Sequence, residues 1–141
     1  IILCGPQGIG KSTMLKKLGR EWFSDSLTSV QGKEAYEQLH GVWIAELGEL
    51  YATRKAESEA VKQFLSKSED IFRVAYGRRT VPFPRQCVFY GTTNETEFLR
   101  DRTGNRRFWP ITVGGAHDKS FRDSTEAEVA QVWAEAYHPR K

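Results

Sequence analysis

The sequence predicts an α/β domain of three layers, with helices covering both faces of a central, mostly parallel sheet and a β-hairpin inserted into it. Three observations carry this. Apolar runs at Ile1–Cys4, Val42–Ala45, Cys87–Tyr90 and Phe108–Val113 alternate with stretches of helical spacing, the pattern of strands joined by crossover helices. A glycine-rich loop, Gly5–Ser12, joins the first strand to the first helix. A turn-rich segment, Phe72–Pro84, breaks the alternation late in the chain. At 141 residues the chain is one domain, long enough to close a core. It starts inside its first strand with no leading loop, so it is expected to be a piece of a longer protein.

Taken in order, Ile1–Cys4 is a buried strand. The loop after it reads G-P-Q-G-I-G-K-S and fits G-x-x-x-x-G-K-[ST] without mismatch. That motif predicts a phosphate loop, and hence a P-loop NTPase. Gly5, Gly8 and Gly10 let backbone N–H groups close on phosphate oxygens. Pro6, Gln7, Ile9 and Thr13 complete the ATP-binding set. Lys11 is expected at the β- and γ-phosphates and Ser12 on Mg²⁺, with the helix N-terminus adding partial positive charge. The helix runs to about Trp22. Leu27–Val30 reads as a second strand, and Lys33–Leu39 as a helix between Gly32 and Gly41. Val42–Ala45 is a central strand ending at Glu46. Glu57–Lys67 carries Ala60, Val61, Phe64 and Leu65 at helical spacing, one buried stripe. Phe72–Pro84, with Tyr76-Gly77 at its middle, reads as strand, tight turn, strand. Cys87–Tyr90 and Phe108–Val113 are strands. Ser124–Tyr137 is a closing helix, with Ser124 as its candidate cap.

A phosphate loop needs a metal and a polarised water to hydrolyse ATP. Glu46 stands at the mouth of its strand and Glu49 follows. Glu46 is assigned to the metal side with Ser12, and Glu49 is the alternative base. Asn94, leaving the strand Val88–Tyr90 through Gly91-Thr92-Thr93, can hold the attacking water or the γ-phosphate. The net charge is +3, unevenly spread. Between Arg73 and Arg107 eight arginines face three acids, which leaves that segment at +5 and the remainder at −2. Arginine grips phosphate bidentately and keeps its charge when partly buried. Arg73, Arg78, Arg79 and Arg85, around the hairpin, are candidate DNA contacts. Arg106 and Arg107, entering a strand together, fit an arginine finger. Cys4 and Cys87 lie in apolar runs, and no apolar run approaches the ~20 residues of a bilayer span. Free thiols, no metal cluster, no membrane and a cytosolic location are expected.

These parts, in this order, resemble the virulence-associated protein E family, relatives of the superfamily 3 helicases within the AAA+ group. The matching text is G-P-Q-G-I-G-K-S, W-I-A-E-L-G-E-L at Trp43–Leu50, V-K-Q-F-L-S at Val61–Ser66 and D-I-F-R-V-A-Y-G-R at Asp70–Arg78. It continues with F-Y-G-T-T-N at Phe89–Asn94 and F-L-R-D-R-T-G-N-R-R-F-W-P at Phe98–Pro110. The resemblance implies an ATP-dependent motor on single-stranded or forked DNA, a homo-oligomer of six in the cytoplasm of a bacterial host. By position it implies Glu46 and Glu49 as the acidic motif, Asn94 as the strand-end sensor, Arg106 or Arg107 as the finger, and Arg73–Arg85 as a DNA-contacting hairpin. Glu-Leu-Gly-Glu stands where many such ATPases have adjacent acids, so the roles of Glu46 and Glu49 stay open. Two other readings fit a phosphate loop: a nucleotide kinase, and a module that binds ATP for assembly without turnover.

Overall fold

A computed structural model describes residues 1–48, 55–94, 108–114 and 121–138. Among the described residues five strands form the central sheet: β1 (Ile2–Cys4), β2 (Phe23–Ser24), β3 (Ile44–Gly48), β6 (Val88–Thr93) and β7 (Pro110–Thr112). Their spatial order is β2-β3-β6-β1-β7, and every pairing is parallel. The remaining two strands, β4 (Glu69–Phe72) and β5 (Val81–Pro84), pair antiparallel as a separate hairpin. The α/β class and the mostly parallel sheet match the sequence-based expectation, and a hairpin is present, but its first strand is Glu69–Phe72, ahead of the expected Phe72–Pro84, and it forms a sheet of its own.

Strand periodicity decides what packs on each face. Leu3, Ile44 and the half-buried Tyr90 point to one side, against Leu15 and Leu18 of α1 (Lys11–Gly19) and Trp133 of α4 (Glu126–Tyr137). Ala45, Leu47 and Phe89 point to the other, against Ala35 of α2 (Lys33–Glu37) and Val61 and Phe64 of α3 (Lys55–Leu65). Leu15 and Leu47 are wholly buried, so both sheet faces are covered and three layers result. Burial pushes the Cys4 and Cys87 thiols above their ordinary pKa, opposed only in part by Lys11 and Arg85 respectively. Both stay protonated at neutral pH and are poor nucleophiles.

Several boundaries differ from the expectation. Leu27–Val30 is not a strand. The Ser29 hydroxyl accepts from the Gln31 N–H at 3.1 Å, a local turn that withdraws this backbone from a ladder. Leu27 and Val30 still reach the core as isolated anchors. The second strand is instead Phe23–Ser24, paired with Ile44–Ala45 after a 3-10 turn at Arg20–Trp22. At the closing helix Thr125, not Ser124, is the cap. Its hydroxyl accepts from the Glu128 N–H, and the Glu128 carboxylate accepts from the Thr125 N–H at 2.7 Å. This reciprocal pair is a capping box.

Arg85 departs furthest from its expected role as a DNA contact. It lies at the base of the hairpin with its side chain 5% exposed. Its Nε donates to Asp70 Oδ2 at 3.0 Å, and its two terminal nitrogens donate to Asp70 Oδ1 and to the Phe64 carbonyl. The guanidinium also stacks on the Phe64 ring, 4.7 Å from its centroid. The bonds to Asp70 close the base of the hairpin and the bond to the Phe64 carbonyl fastens it to α3, so this buried side chain serves as an anchor and does not stand on the surface as a DNA contact would. We predict that Asp70→Ala, which strands a buried cation, destabilises the domain by about 3–5 kcal/mol. Urea denaturation of the purified chain would read this. A loss under about 1 kcal/mol would mean that Arg85 reaches solvent when its partner is removed.

Candidate functional site

The carboxyl ends of three parallel strands meet at one crevice. Register pairs Cys4 of β1 with Thr93 of β6, and Thr92 of β6 with Gly48 of β3. β1 lies between β6 and β7, where the chain's progression across the sheet reverses, the usual place for ligands in open α/β sheets. The Gly5–Ser12 loop leaves β1 there and runs straight into α1.

Packing dictates the loop's shape. A Cβ on Gly5 would stand 2.1 Å from the Val113 carbonyl oxygen, so no side chain fits. The Gly5 N–H donates to the Thr93 carbonyl at 3.1 Å, tying the loop to β6 as well. Gly8 and Gly10 have φ of 81° and 93°, a conformation that favours glycine. Gly10 is the N-cap of α1 and supplies no side-chain acceptor, and no acid lies in the helix's first turn. The opening N–H groups of α1 are therefore left to water or to a ligand. Pro6, Gln7, Gly8 and Ile9 are exposed along the loop, and Thr13 is half-buried on α1.

Lys11 and Ser12, the first residues of α1, turn into the crevice. Lys11 Nζ donates to the Gly5 carbonyl at 2.7 Å, the Pro6 carbonyl at 2.9 Å and Asn94 Oδ1 at 3.0 Å. Those partners match the three N–H donors of an ammonium, so its position is fixed. Ser12 Oγ donates to Glu46 Oε1 at 2.6 Å, and Thr92 Oγ1 donates to the same oxygen at 2.8 Å. Glu46 shares the α1-facing side of β3 with Ile44, which aims it at Ser12. It is 4% exposed, and its second oxygen, Oε2, is buried with no hydrogen-bond partner.

Of the candidates named from sequence, Lys11, Ser12, Glu46 and Asn94 come together. Arg73, Arg78 and Arg79 are exposed around the hairpin turn. Glu49, Arg106 and Arg107 lie outside the described residues. Two contributors were missed. Thr92 has the right strand parity to reach Glu46, a signal readable only once β6 is paired with β3. Arg122 donates from Nη2 to the Gly8 carbonyl at 2.7 Å, and nothing in its local sequence points to the loop. The hairpin turn holds Tyr76 at φ 64° and fully exposed, closed by the Gly77 N–H to the Val74 carbonyl at 2.9 Å. A cavity of about 630 Å³, lined by Trp22, Tyr36, His40, Trp43, Phe72 and Phe83 among others, lies between the hairpin and the α2–β3 connection, away from the loop.

A sequence profile of the virulence-associated protein E-like domain matches residues 1–139. The chain belongs to that family. Among solved structures it is similar to the A-form apo structure of the NrS-1 C-terminal region, residues 305–718, at 21% identity and a TM-score of 0.52. The match covers 92% of this chain and 32% of that one, so this virulence-associated protein E-like domain spans about a third of the neighbour's length. At that identity the likeness speaks for the fold alone. No curated protein matches the chain. No described helix is long and apolar enough to cross a membrane.

We predict that Gly5→Ala shifts the loop off Val113 and costs about 1–3 kcal/mol, as overpacking does. Thermal unfolding checks this, and an unchanged midpoint would mean that the β1–β7 edge yields freely.

Proposed function

We propose that the domain binds and hydrolyses ATP with Mg²⁺ and is the motor core of a replicative DNA helicase that works as a ring of six subunits in the bacterial cytoplasm. The observation that carries the ATP reading is the Glu46–Ser12 pair. A buried carboxylate with one free oxygen touches the hydroxyl that follows the loop lysine, at the mouth of an uncapped helix. Among the described residues no group of three or more His, Cys, Asp or Glu gathers. Magnesium does not need one, since it keeps water and phosphate in most of its shell and accepts hard oxygen donors. Ser12 and Glu46 would hold it, and it would supply charge neutralisation between the β- and γ-phosphates.

The chain's own groups do the rest. The α1 N–H groups and the loop amides receive the β-phosphate. Lys11 keeps its two backbone carbonyl partners and exchanges the third, the rotatable Asn94 amide, for a γ-phosphate oxygen. Asn94 is thereby released to orient the attacking water. With Glu46 committed to the metal side, the water-polarising role falls to Glu49. Arg106 or Arg107 of an adjacent subunit would complete the charge balance, at about 10³–10⁵ in rate for a finger of this kind. Family membership and the exposed arginine cluster favour DNA as the partner over the small acceptor of a nucleotide kinase.

Three predictions test this. Lys11→Ala should abolish measurable ATP binding in a folded chain, and Glu46→Gln should weaken the Mg²⁺ dependence of ATP affinity while leaving metal-free binding intact. Equilibrium titration reads both. Wild-type affinity in Lys11→Ala overturns the ATP reading. On the DNA side, replacing Arg78 and Arg79 together should lower the slope of log K against log salt by about 1.4, at roughly 0.7 per phosphate contact on a single strand. An unchanged slope would remove the hairpin from the DNA interface.

A further inference from the structure

The glycine-rich loop lies at the carboxyl ends of the parallel strands, whereas the cavity of about 630 Å³ opens at the amino ends of three of them. Trp22 stands just ahead of β2, Trp43 just ahead of β3 and Gln86 shortly ahead of β6, and these strands are neighbours in the sheet. The hairpin closes the other side with Phe72 and Phe83. Backbone bonds fix this frame. The Trp43 N–H donates to the Trp22 carbonyl at 2.8 Å, the Val88 N–H to the Trp43 carbonyl at 2.8 Å and the Arg85 N–H to the Ser68 carbonyl at 2.9 Å. The volume falls in the range of small-ligand pockets, roughly 300–1,000 Å³.

Its walls are flat rings. Phe72 and Phe83 stack at 4.6 Å and 21°, His40 meets Phe83 edge-on at 5.2 Å, and Trp22 and Trp43 cross at 6.4 Å and 73°. Phe72 is buried, but Trp22 and Trp43 are 48% and 37% exposed. Two half-exposed indoles side by side are apolar surface that a planar ligand would take out of water. The wall also carries groups that can read a polar edge. The indole N–H groups of Trp22 and Trp43, the His40 imidazole and the Gln86 amide have no hydrogen-bonding partner among the described residues. Asp70, the acid among the described lining residues, is paired with Arg85, so it does not repel an anionic ligand.

Register places positive charge alongside. Phe72 pairs with Val81, so Arg73 follows directly on a wall residue, and Arg78 and Arg79 lie in the turn that joins the two strands. All three are exposed. A planar, hydrogen-bonding ring with anions one step away on either side is the chemistry of a nucleotide within a strand. In a duplex both ring faces are stacked and the edge is paired, so an unpaired strand offers the ring at least cost.

We propose that the cavity receives one unstacked base of single-stranded DNA between its rings, while the flanking phosphates lie on Arg73, Arg78 and Arg79. The proposal rests on the reading of the hairpin arginines as DNA contacts and adds to it a place for the base. Every base has a π-face, so the site favours single strand over duplex and distinguishes little between sequences.

The test titrates the chain with a short oligothymidylate, an abasic strand of the same length and a duplex of that length, over a range of salt. The variants are Trp22→Ala, Trp22→Phe and Gln86→Ala. Wild type should prefer the oligothymidylate to the abasic strand. Trp22→Ala should weaken oligothymidylate binding about 5- to 100-fold, as loss of a stacking ring does. It should leave the slope of log K against log salt unchanged, because it removes no charge. Trp22→Phe should recover most of the affinity, and the abasic strand should bind wild type and Trp22→Ala alike. Gln86→Ala should weaken the oligothymidylate by a smaller factor and spare the abasic strand. If wild type and Trp22→Ala bind the oligothymidylate equally, with the wild-type salt slope intact, the inference is overturned and the DNA reading stands. Equal losses on the oligothymidylate, the abasic strand and the duplex mean that Trp22 supports the domain and meets no base, and the inference again fails. A lower mass in solution for Trp22→Ala with unchanged DNA binding assigns the cavity to a second copy of the chain instead. Should Trp22→Ala not fold, Gln86→Ala decides on the same two strands: a loss confined to the base-bearing one supports the site, and no loss overturns it. If the wild type binds no single strand at low salt, the DNA reading falls and this inference falls with it.

Discussion

Burying a carboxylate in a protein interior costs several kcal/mol unless hydrogen bonds replace its water. Glu46 meets that demand with two hydroxyls from two different elements, Ser12 of α1 and Thr92 of β6. The rest of the crevice follows from that requirement. Ser12 can reach Glu46 only if α1 starts directly above β3. Thr92 can reach it only if β6 lies between β3 and β1. The loop can then turn over the end of β1 only with glycine at position 5, because the Val113 carbonyl already fills the space a Cβ would need. One oxygen of the carboxylate is satisfied and the other is not. An unpaired buried oxygen raises the free energy of the folded domain. The same carboxylate thus both shapes the crevice and carries its least satisfied atom.

Charge is divided by depth. Arg73, Arg78, Arg79 and Arg85 belong to one hairpin and have one chemistry, yet they serve different ends. Three stand in solvent around a turn held at positive φ by Tyr76. The fourth is sealed beneath them, paired with Asp70 and stacked on Phe64. Only a pair that excludes water can carry several kcal/mol of structural energy, and only exposed cations can trade counterions for nucleic-acid phosphates. The hairpin's base is therefore an anchor and its tip a cluster of exposed cations. Asp70, Arg85 and Phe64 link that anchor to α3, which packs on the same sheet as Glu46.

The C-terminal helix is fastened to α1. Its capping box fixes where it starts, Trp133 fixes how it lies on α1, and Lys17 fixes the turn that precedes it. Each of these contacts is between groups more than a hundred residues apart in sequence or within one helical turn, with little between.

By itself the sequence determined the parts that depend on near neighbours. The strand–loop–helix opening was legible because glycine spacing, an apolar run and a helical stretch are local signals. So were the hairpin, the buried stripe of α3 and the placing of an acid at the end of β3. The C-terminal helix was legible too, although its cap was misplaced by one residue, since Ser124 and Thr125 offer the same hydroxyl and only geometry chooses. Tertiary structure decided what depends on distant partners. Leu27–Val30 has strand-like composition, but Ser29 turns the chain locally and the two apolar residues enter the core singly. Arg85 looks like its exposed neighbours until Asp70 closes on it from the paired strand. Thr92 and Arg122 reach the site only because parallel pairing and helix docking bring them there. Propensity and periodicity act over a few residues, whereas a side chain's partner is set by which elements pack together, and no local stretch of sequence encodes that.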